Sequence, residues 1–599
     1  MRILLPHRPL RLSLLLLAVT LPAQERVSPW RLGTKSIPQK GNQVIDLTEL
    51  VPDDQNRVEL ECTVESPRAK EVLVSCGFDD ALWLFVNGEE VFVSNTTQPC
   101  TPNQHLFKIK LRAGTNLVRA RVVNKGGGFA LQWKLAGDPE LAPAMGRISG
   151  KDGFDHYVLT TVPIPDSLRL EVGGLAFGAQ GELYVCTRRG DVFRCADPRA
   201  TRTEDLGITR WATGLHEPLG LLTETDGSLL IGQKAELTRA RDTDGDGTAD
   251  RFDTLANDWG LSGNYHEYTF GPIRDLQGNL WCTLNIGFPS GTGDALRYRG
   301  SAFRVTPEGR FEIACYGLRS PNGLVVHDSG AVFYTDNQGE WMDVCRISHL
   351  QDKHWYGHAT ALGWARQMPG FGWQQERTLP AIWIPYHLAK SVSWPVIDRT
   401  GGKFGPYAGQ MIVGDQMNAS LIRCTLQQVR GQWQGACYPF WRGFQCGVNR
   451  LLFDAHGELW AGQTERGWGS VGPKSYGLER LRWSGKTPFD LLEVRATRTG
   501  FELTFTAPIA AGYEQDKTRV YVREYGYKHW STYGSDEFDS RDVDIEGVAA
   551  SADRRTLTVV TGARGLAKAF QIQLRRLRSA AGEEPVTHEA FYTLLAIPD

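Results

Sequence analysis

A repeated strand-turn-strand pattern constrains the fold of this chain more than any other feature. Each copy has a glycine turn followed by a short apolar strand, and copies lie at residues 181–185, 227–232, 278–281, 330–334, 409–414 and 457–462. Most copies are about fifty residues apart, as in a β-propeller, whose neighbouring four-stranded blades bury each other's faces. We therefore predict a six-bladed β-propeller over residues 155–485, with an insertion at 351–408 that covers one mouth.

The segments on both sides of the repeat predict further β domains. Residues 40–140 alternate between apolar and polar side chains, and Asn87-Gly88 is a hairpin-turn signal. Residues 488–599 contain similar alternation. Residues 77–80, 86–88, 113–116 and 124–129 resemble the jelly-roll sugar-binding modules of secreted carbohydrate enzymes, and a plain β-sandwich spacer is the alternative. The predicted fold class is all-β: a six-bladed β-propeller flanked by an N-terminal β-sandwich, which this resemblance makes jelly-roll-like and sugar-binding-like, and a C-terminal β-sandwich.

The first residues predict export. Residues 1–23 have arginines ahead of an apolar run and read as a signal peptide, so we expect a periplasmic or secreted protein. An uncleaved anchor is the alternative, but the apolar run is about ten residues and a membrane span needs roughly twenty.

With 66 basic and 68 acidic residues, the chain shows no charge bias that would indicate a nucleic-acid partner.

An acidic loop is the clearest metal-binding motif. Between residues 242 and 253, oxygen ligands have the spacing of an EF-hand calcium loop, with Gly247 at the position of the sharp turn. The predicted calcium ligands are Asp242, Asp244, Asp246, Thr248, Asp250 and Asp253. A solvated acidic turn is the alternative.

Polar clusters follow several predicted strands, and a propeller brings such strand ends together at one mouth. The candidates for this mouth are Arg188, His216, His266, Arg319, Asn322, Asp336, His387 and Arg450. A neutral histidine can take a proton from a sugar hydroxyl while a cofactor takes the hydride. His266 is the candidate base, although it could equally be a hydrogen-bonded core histidine.

Two stretches carry a resemblance to a known family. His266 followed by Gly271-Pro272 is similar to the catalytic histidine segment of the soluble quinoprotein glucose and sorbosone dehydrogenases, and residues 317–324 with 337–339 look like their next blade. The resemblance implies a calcium-dependent pyrroloquinoline quinone enzyme with His266 and Arg319 as catalytic residues. It further implies cofactor contacts from Arg319, Asn322, Asn337 and Arg450, and calcium-binding carbonyls at Gln338 and Gly339.

The chain departs from that family at three places. Ser320 replaces an expected asparagine, residues 415–418 contain no lysine, and Gly447 and Asn449 stand where two arginines would hold the quinone. The chain more closely resembles the exported, membrane-bound-dehydrogenase-like propeller proteins abundant in planctomycetes. The motifs that carry this resemblance lie at 265–268, 336–341, 413–416, 434–437 and 464–469.

These observations predict an oxidoreductase that acts on a sugar or sugar alcohol and passes electrons to a separate acceptor protein. One alternative is a metal-dependent lactonase of the gluconolactonase class, because residues 320–324 resemble the metal-binding asparagine segment of that class. Another is a propeller that only binds a glycan by stacking Trp341, Trp355, Trp364 and Trp373 on sugar faces. Those aromatic residues could instead pack a small core within the insertion.

Overall fold

The computed structural model describes residues 25–38, 44–48, 50–51, 56–94, 100, 105–124, 129–137, 156–287, 296–368, 372–374, 376–466 and 469–599. The predicted signal peptide lies outside these residues. The described chain forms 43 strands, one short helix α1 (Thr360–Ala365), and single 3-10 turns at Thr203–Asp205, Tyr513–Gln515 and Lys517–Arg519. No helix in this part of the chain has the length and apolar character needed to cross a bilayer. The predicted all-β class is confirmed.

The N-terminal domain is a β-sandwich of two sheets. The larger sheet contains β1 (Arg26–Val27), β2 (Trp30–Leu32), β3 (Lys35–Ile37), β5 (Arg57–Ser66), β7 (Ala81–Val86), β8 (Glu89–Ser94) and β10 (Gly114–Val123). The smaller sheet contains β4 (Ile45–Asp46), β6 (Lys70–Phe78), β9 (His105–Leu111) and β11 (Ala130–Gly137). Strands β1, β2 and β3 of the larger sheet precede residue 40, so the N-terminal domain begins earlier than the sequence pattern indicated. Among the described residues, the apolar core of this sandwich consists of side chains between Trp30 and Leu135.

The propeller is built from four-stranded antiparallel sheets. The first three are β13 (Val172–Phe177), β14 (Leu183–Thr187), β15 (Val192–Cys195) and β16 (Ile208–Ala212); β17 (Leu221–Thr223), β18 (Leu229–Gly232), β19 (Leu237–Arg241) and β20 (Arg251–Ala256); and β21 (Thr269–Arg274), β22 (Leu280–Leu284), β23 (Ser301–Val305) and β24 (Phe311–Tyr316).

The next two sheets are β25 (Gly323–Val326), β26 (Val332–Asp336), β27 (Cys345–His349) and β28 (Ile382–Ile384), followed by β29 (Val392–Ile397), β30 (Met411–Asp415), β31 (Ser420–Val429) and β32 (Gln432–Arg442). β28 and β29 lie inside the segment predicted as an insertion, so this prediction was wrong for part of 351–408. Those strands were missed because the glycine-turn repeat skips them. The remainder of the segment carries α1.

The ring closes by pairing its two ends. β12 (Tyr157–Thr161) joins β33 (Val448–Phe453), β34 (Leu459–Thr464) and β35 (Tyr476–Trp483) in one sheet. The first strands of the sheets contact one another in the cyclic order β13, β17, β21, β25, β29, β33 and back to β13. This closed ring is a β-propeller, as predicted, with an axial channel lined by these strands.

The C-terminal domain is fused to the propeller. One of its sheets contains β36 (Leu491–Ala496), β37 (Gly500–Phe505), β40 (Ile545–Ala550) and β41 (Thr556–Thr561). The other contains β38 (Val520–Tyr527), β39 (Glu537–Asp542), β42 (Lys568–Leu574) and β43 (Glu589–Leu594). β43 pairs with the outer propeller strand β32 from Gly435↔Thr593 to Cys437↔Phe591. A single eight-stranded sheet therefore runs from the fifth blade into this domain.

Candidate functional site

One end of the propeller ring gathers the charged residues. In each blade, the residues before the first strand and those after the second strand open at the same end, which we call the mouth. Glu217 and Lys234 come from the second blade, His266 from the third, Arg319 from the fourth and Arg466 from the last. These side chains are far apart in the sequence and converge only because the ring closes.

His266 is half-buried immediately before β21. Its backbone N–H donates to Asn264 Oδ1 at 2.9 Å, and its carbonyl accepts a hydrogen bond from the side chain of Asn285. The imidazole ring lies 5.1 Å from the ring of Tyr265 and 6.1 Å from that of Tyr268, measured between centroids. Burial lowers the pKa of His266, and the nearby cations Arg319, Lys234 and Arg188 lower it further. The ring is therefore neutral near pH 7 and able to accept a proton.

A cation cluster lies beside His266, and Arg188 is the only member of it predicted from the sequence as a candidate for the mouth. Arg188 Nη2 is 2.8 Å from Glu217 Oε1, and Lys234 Nζ is 3.4 Å from Glu217 Oε2 and 2.8 Å from the carbonyl of Tyr265. Arg188 and Lys234 both face the ring of Tyr268, at 5.0 and 5.3 Å. The cluster as a whole consists of Arg188, Arg189, Lys234, Arg466, Glu171 and Glu217. Four cations against two carboxylates leave a surplus of positive charge at the mouth.

Arg319 forms a second charged group with Glu340. Arg319 Nη2 lies 2.9 Å from Glu340 Oε2. The backbone N–H groups of Arg319 and Ser320 donate to the buried Asp336 carboxylate at 2.9 and 2.7 Å, which fixes this loop. The guanidinium also lies 5.3 Å from the ring centroid of Tyr533.

Tyr533 belongs to the C-terminal domain, in the loop between β38 and β39. This loop is attached to the mouth through its backbone: Trp341 N donates to the carbonyl of Trp530 at 2.9 Å, and Gly534 N donates to that of Gly339 at 3.0 Å. The sequence contains no local signal for this contact, because it depends on how a separate domain packs against the propeller.

Asn322 and Arg450 lie inside the channel rather than at the mouth. Arg450 is 2% exposed. Its Nη1 donates to Asn322 Oδ1 at 2.7 Å and its Nη2 to the carbonyl of Leu219 at 2.7 Å. The guanidinium lies between the rings of Phe270 and Trp394, and burial lowers the pKa of Arg450 to about 9. These two predicted cofactor residues bind each other instead.

The Gly339 carbonyl, one of the two predicted calcium carbonyls near the mouth, has other partners. The Gly339 carbonyl accepts hydrogen bonds from Met342 N and Gly534 N, both at 3.0 Å. The Arg319 guanidinium also covers Gly339 so closely that an added Cβ would lie 1.9 Å from Arg319 Cζ. Gln338 and Asn337 are both buried, and Asn337 Nδ2 is 3.4 Å from Ser391 Oγ. A cation next to a saturated carbonyl does not fit a calcium site.

The acidic loop between β19 and β20 brings together three of its six predicted ligands. Carboxylate oxygens of Asp242, Asp244 and Asp246 lie within 4.8 Å of one another. Asp250 instead accepts a hydrogen bond from Thr243 N at 2.9 Å, and Asp253, on β20, forms salt bridges with Arg241 and Arg251. Thr248 N donates to Asp246 Oδ1 at 2.8 Å. Because it joins the third and fourth strands of a blade, this loop opens away from the mouth.

The predicted stacking tryptophans are packed within the protein. Trp364 lies in a small core with Tyr316, and Trp355 and Trp373 pack against that core. The ring of Trp341 lies 5.2 Å from that of His529 in the C-terminal domain. Of the remaining candidates, His216 is exposed at the mouth, and His387 packs against Phe591 at 5.1 Å.

Comparisons with known proteins support no assignment of individual residues. A family described as Domain of unknown function (DUF7133) matches residues 175–416, and no curated protein sequence matches the chain. A glucose dehydrogenase-type oxidoreductase from Thermus thermophilus is 18% identical, with a TM-score of 0.41, over 54% of this chain and 99% of its own. The aldose sugar dehydrogenase from Streptomyces coelicolor, solved with PQQ bound, is 16% identical with a TM-score of 0.41 over 55% of this chain and 99% of its own. A gluconolactonase from Xanthomonas campestris is 16% identical with a TM-score of 0.36 over 57% of this chain and 96% of its own.

Proposed function

We propose that this protein is an exported oxidoreductase that oxidises a hydroxyl group of a sugar or sugar alcohol at the propeller mouth. The observation that carries the proposal is the neutral, half-buried His266 beside a surplus of positive charge. Oxidation of an alcohol requires a base for the hydroxyl proton and an acceptor for the hydride. His266 is the base, and one of its ring nitrogens takes the hydroxyl proton.

The cation cluster fits an anionic redox cofactor such as pyrroloquinoline quinone. Arg188, Lys234 and Arg466 are the residues that would hold its carboxylates, because their positive charge exceeds that of the glutamates they pair with. Arg188 Nε is buried and has no hydrogen-bond acceptor among the described residues. When bound, the quinone supplies a two-electron acceptor for the hydride of the carbinol carbon. The predicted contacts from Asn322 and Arg450, and the calcium carbonyl of Gly339, do not fit this role.

The chain's own residues perform the remaining steps. Burial, together with the charges of Arg319, Lys234 and Arg188, keeps His266 neutral before the reaction, so that the ring is ready to accept the proton. The carboxylate of Glu217 raises the pKa of His266 and so stabilises the imidazolium once it forms. Transfer of the electrons to a separate acceptor protein, and export itself, stay predictions.

The contact between Asn322 and Arg450 favours the oxidoreductase over the lactonase. A lactonase of the gluconolactonase class would use the Asn322 side-chain oxygen to bind a divalent metal, but this oxygen accepts a hydrogen bond from the Arg450 guanidinium. A buried cation at that distance repels a metal ion. Among the described residues, the only acidic, histidine or cysteine group with metal-binding spacing is Asp242, Asp244 and Asp246, away from the mouth.

The proposal is tested by dye-coupled oxidation of a sugar panel after reconstitution with quinone. Replacement of His266 by Gln should reduce turnover by about 10²- to 10⁴-fold, the usual contribution of a general base. His216→Gln is the matched control, because His216 lies in a neighbouring mouth loop and is exposed. Wild-type turnover in the His266 variant, with an unchanged circular dichroism spectrum, would remove His266 from the reaction. Lactone hydrolysis without quinone would support the lactonase instead.

A further inference from the structure

We infer that the mouth binds a chain of sugar units rather than a single sugar, and that the C-terminal domain supplies part of this site. The inference rests on the proposed sugar site at the mouth and names its substrate class, an oligosaccharide or the end of a polysaccharide. It is carried by the exposed aromatic side chains around His266 and Arg319.

Exposed aromatic residues are concentrated at the mouth. In the described part of the chain, six aromatic side chains are exposed: Phe252, Tyr265, Tyr386, Trp530, Tyr533 and Phe538. Four of them are on mouth loops, with exposed fractions of 41% for Tyr265, 47% for Tyr386, 39% for Trp530 and 58% for Tyr533. Large aromatic rings are normally buried, and a group of exposed ones indicates a binding surface.

These rings lie on both sides of the proposed reaction centre. Tyr265 is 5.1 Å from His266 on one side. On the other side Tyr533 lies 5.3 Å from Arg319. Tyr386 follows β28, the last strand of the blade that Arg319 precedes, and so lies in a mouth loop as well. We call these exposed rings platforms, because one face of a pyranose ring can stack on each of them. A ligand that stacks on Tyr265 on one side and on Tyr533 or Tyr386 on the other must therefore contain several sugar units.

Charged groups lie next to each platform, as recognition of sugar hydroxyls requires. Lys234 Nζ is 5.7 Å from the Tyr265 ring, and Lys390 Nζ is 5.2 Å from the Tyr386 ring. The Glu340 carboxylate is partly exposed and pairs with Arg319, and the Glu340 backbone forms a β-bridge with that of Tyr533. Flat apolar faces beside hydrogen-bonding groups match the two kinds of surface that a pyranose presents.

The platform from the C-terminal domain is held in place before any ligand binds. Trp530 Nε1 donates to the carbonyl of Gly534 at 2.7 Å, and Ser535 N donates to that of Asp343 at 2.7 Å. His529 Nε2 is 3.0 Å from the carbonyl of Gly357. Since the loop is already ordered by these contacts, little conformational entropy is lost when a ligand stacks on Tyr533.

The test measures how binding depends on chain length. The probe is a printed array of mono- to hexasaccharides of glucose, mannose, xylose, galactose and galacturonic acid. For at least one sugar, binding should increase with length, and Tyr533→Ala or Tyr386→Ala should each weaken hexasaccharide binding roughly tenfold, the order expected for one aromatic contact. Monosaccharide binding should not change. Tyr533→Trp should keep hexasaccharide binding near the wild-type level, since tryptophan also presents a flat aromatic ring.

Phe538→Ala is the matched control, because Phe538 is an exposed aromatic residue of the same domain outside the mouth loops. The inference is overturned if no sugar on the array shows length dependence, or if both tyrosine variants keep it. Failure of the proposed function looks different. A protein that oxidises single sugars but binds chains no better contradicts only this inference, whereas one that binds chains and oxidises nothing contradicts only the proposed oxidation.

Discussion

At the scale of single residues, the pKa of His266 decides whether it can act as a base. Burial is the main cause of its lowered pKa, and Arg319 is the largest contributor among the cations. Only the neutral ring accepts a proton, so kcat/KM should be lost as the pH falls through this lowered pKa. The acid limb of the pH profile should therefore lie below the ordinary histidine value of about 6.5.

Replacing Arg319 by Gln should move that acid limb to higher pH. The substitution removes the largest cationic influence on His266, and this change raises the pKa of His266. The measurement is kcat/KM against pH, supported by NMR titration of the His266 ring. An acid limb at the same pH in both proteins would show that Arg319 does not act on His266.

Gly339→Ala provides a control that keeps the positive charge. A Cβ at Gly339 would overlap the Arg319 guanidinium, whereas one at Gly363, in α1, would meet nothing within 4 Å. We expect Gly339→Ala to displace Arg319 and to shift the acid limb in the same direction as Arg319→Gln. Gly363→Ala should leave the profile unchanged.

Residue roles at the mouth could be predicted only where a strand end revealed them. His266 and Arg319 follow the strand pattern, and both lie at the mouth. Arg450 was predicted to contact the cofactor, but sequence spacing does not show that its side chain enters the channel and binds Asn322. Lys234 was missed because its role depends on Glu217, which a different loop supplies.

At the scale of elements, the acidic loop between β19 and β20 tests how far a motif predicts geometry. The predicted spacing covers twelve residues, but the loop ends where β20 begins, at Arg251. The last aspartate of the motif, Asp253, is therefore part of a strand and is paired with arginines. An EF-hand keeps its last ligand at the start of a helix, and no helix is present in this blade.

We expect calcium to stabilise the protein through Asp242, Asp244 and Asp246 alone. At free calcium about 100-fold above the dissociation constant, binding to the folded state contributes about 2.7 kcal/mol. Asp246→Asn should abolish the rise in melting temperature that calcium causes in the wild type. The measurement is a thermal melt with calcium and with a chelator.

Asp253→Asn is the matched control for this prediction. It removes the same charge from the same motif, at a position that the structure assigns to salt bridges with Arg241 and Arg251. Its calcium response should equal that of the wild type. Equal loss of the calcium response in both variants would show that Asp253 also binds calcium, as the full EF-hand spacing predicts.

At the scale of the whole molecule, the sequence pattern separated units that the structure joins. Composition changes near residue 488 predicted a separate C-terminal sandwich, and its strands are present. The pairing of β43 with β32 could not be predicted, because hydrogen bonding between strands far apart in the chain leaves no local pattern in the sequence. The apolar core of this sandwich includes Ala436 and Tyr438 of the propeller, whereas the N-terminal sandwich has a core of its own.

Arg423 connects the propeller to the C-terminal domain and makes their joint unfolding testable. It is fully buried on β31, where its Nη2 lies 3.2 Å from Asp490 Oδ2 and 2.7 Å from the carbonyl of Leu491. Removing one partner of a buried ion pair costs about 3–5 kcal/mol. Arg423→Met should therefore lower the melting temperature of the propeller and C-terminal domain together, and leave the transition of the N-terminal sandwich unchanged in scanning calorimetry.

Arg430→Met separates this effect from the loss of an arginine as such. Arg430 follows the same strand, but its ion pair with Asp599 is exposed, and exposed pairs contribute about 0–1 kcal/mol. We expect no measurable change in either transition for this variant. If Arg423→Met instead splits the shared transition in two, the propeller and the C-terminal domain are independent units, and the loop that carries Tyr533 is not held at the mouth by cooperative folding.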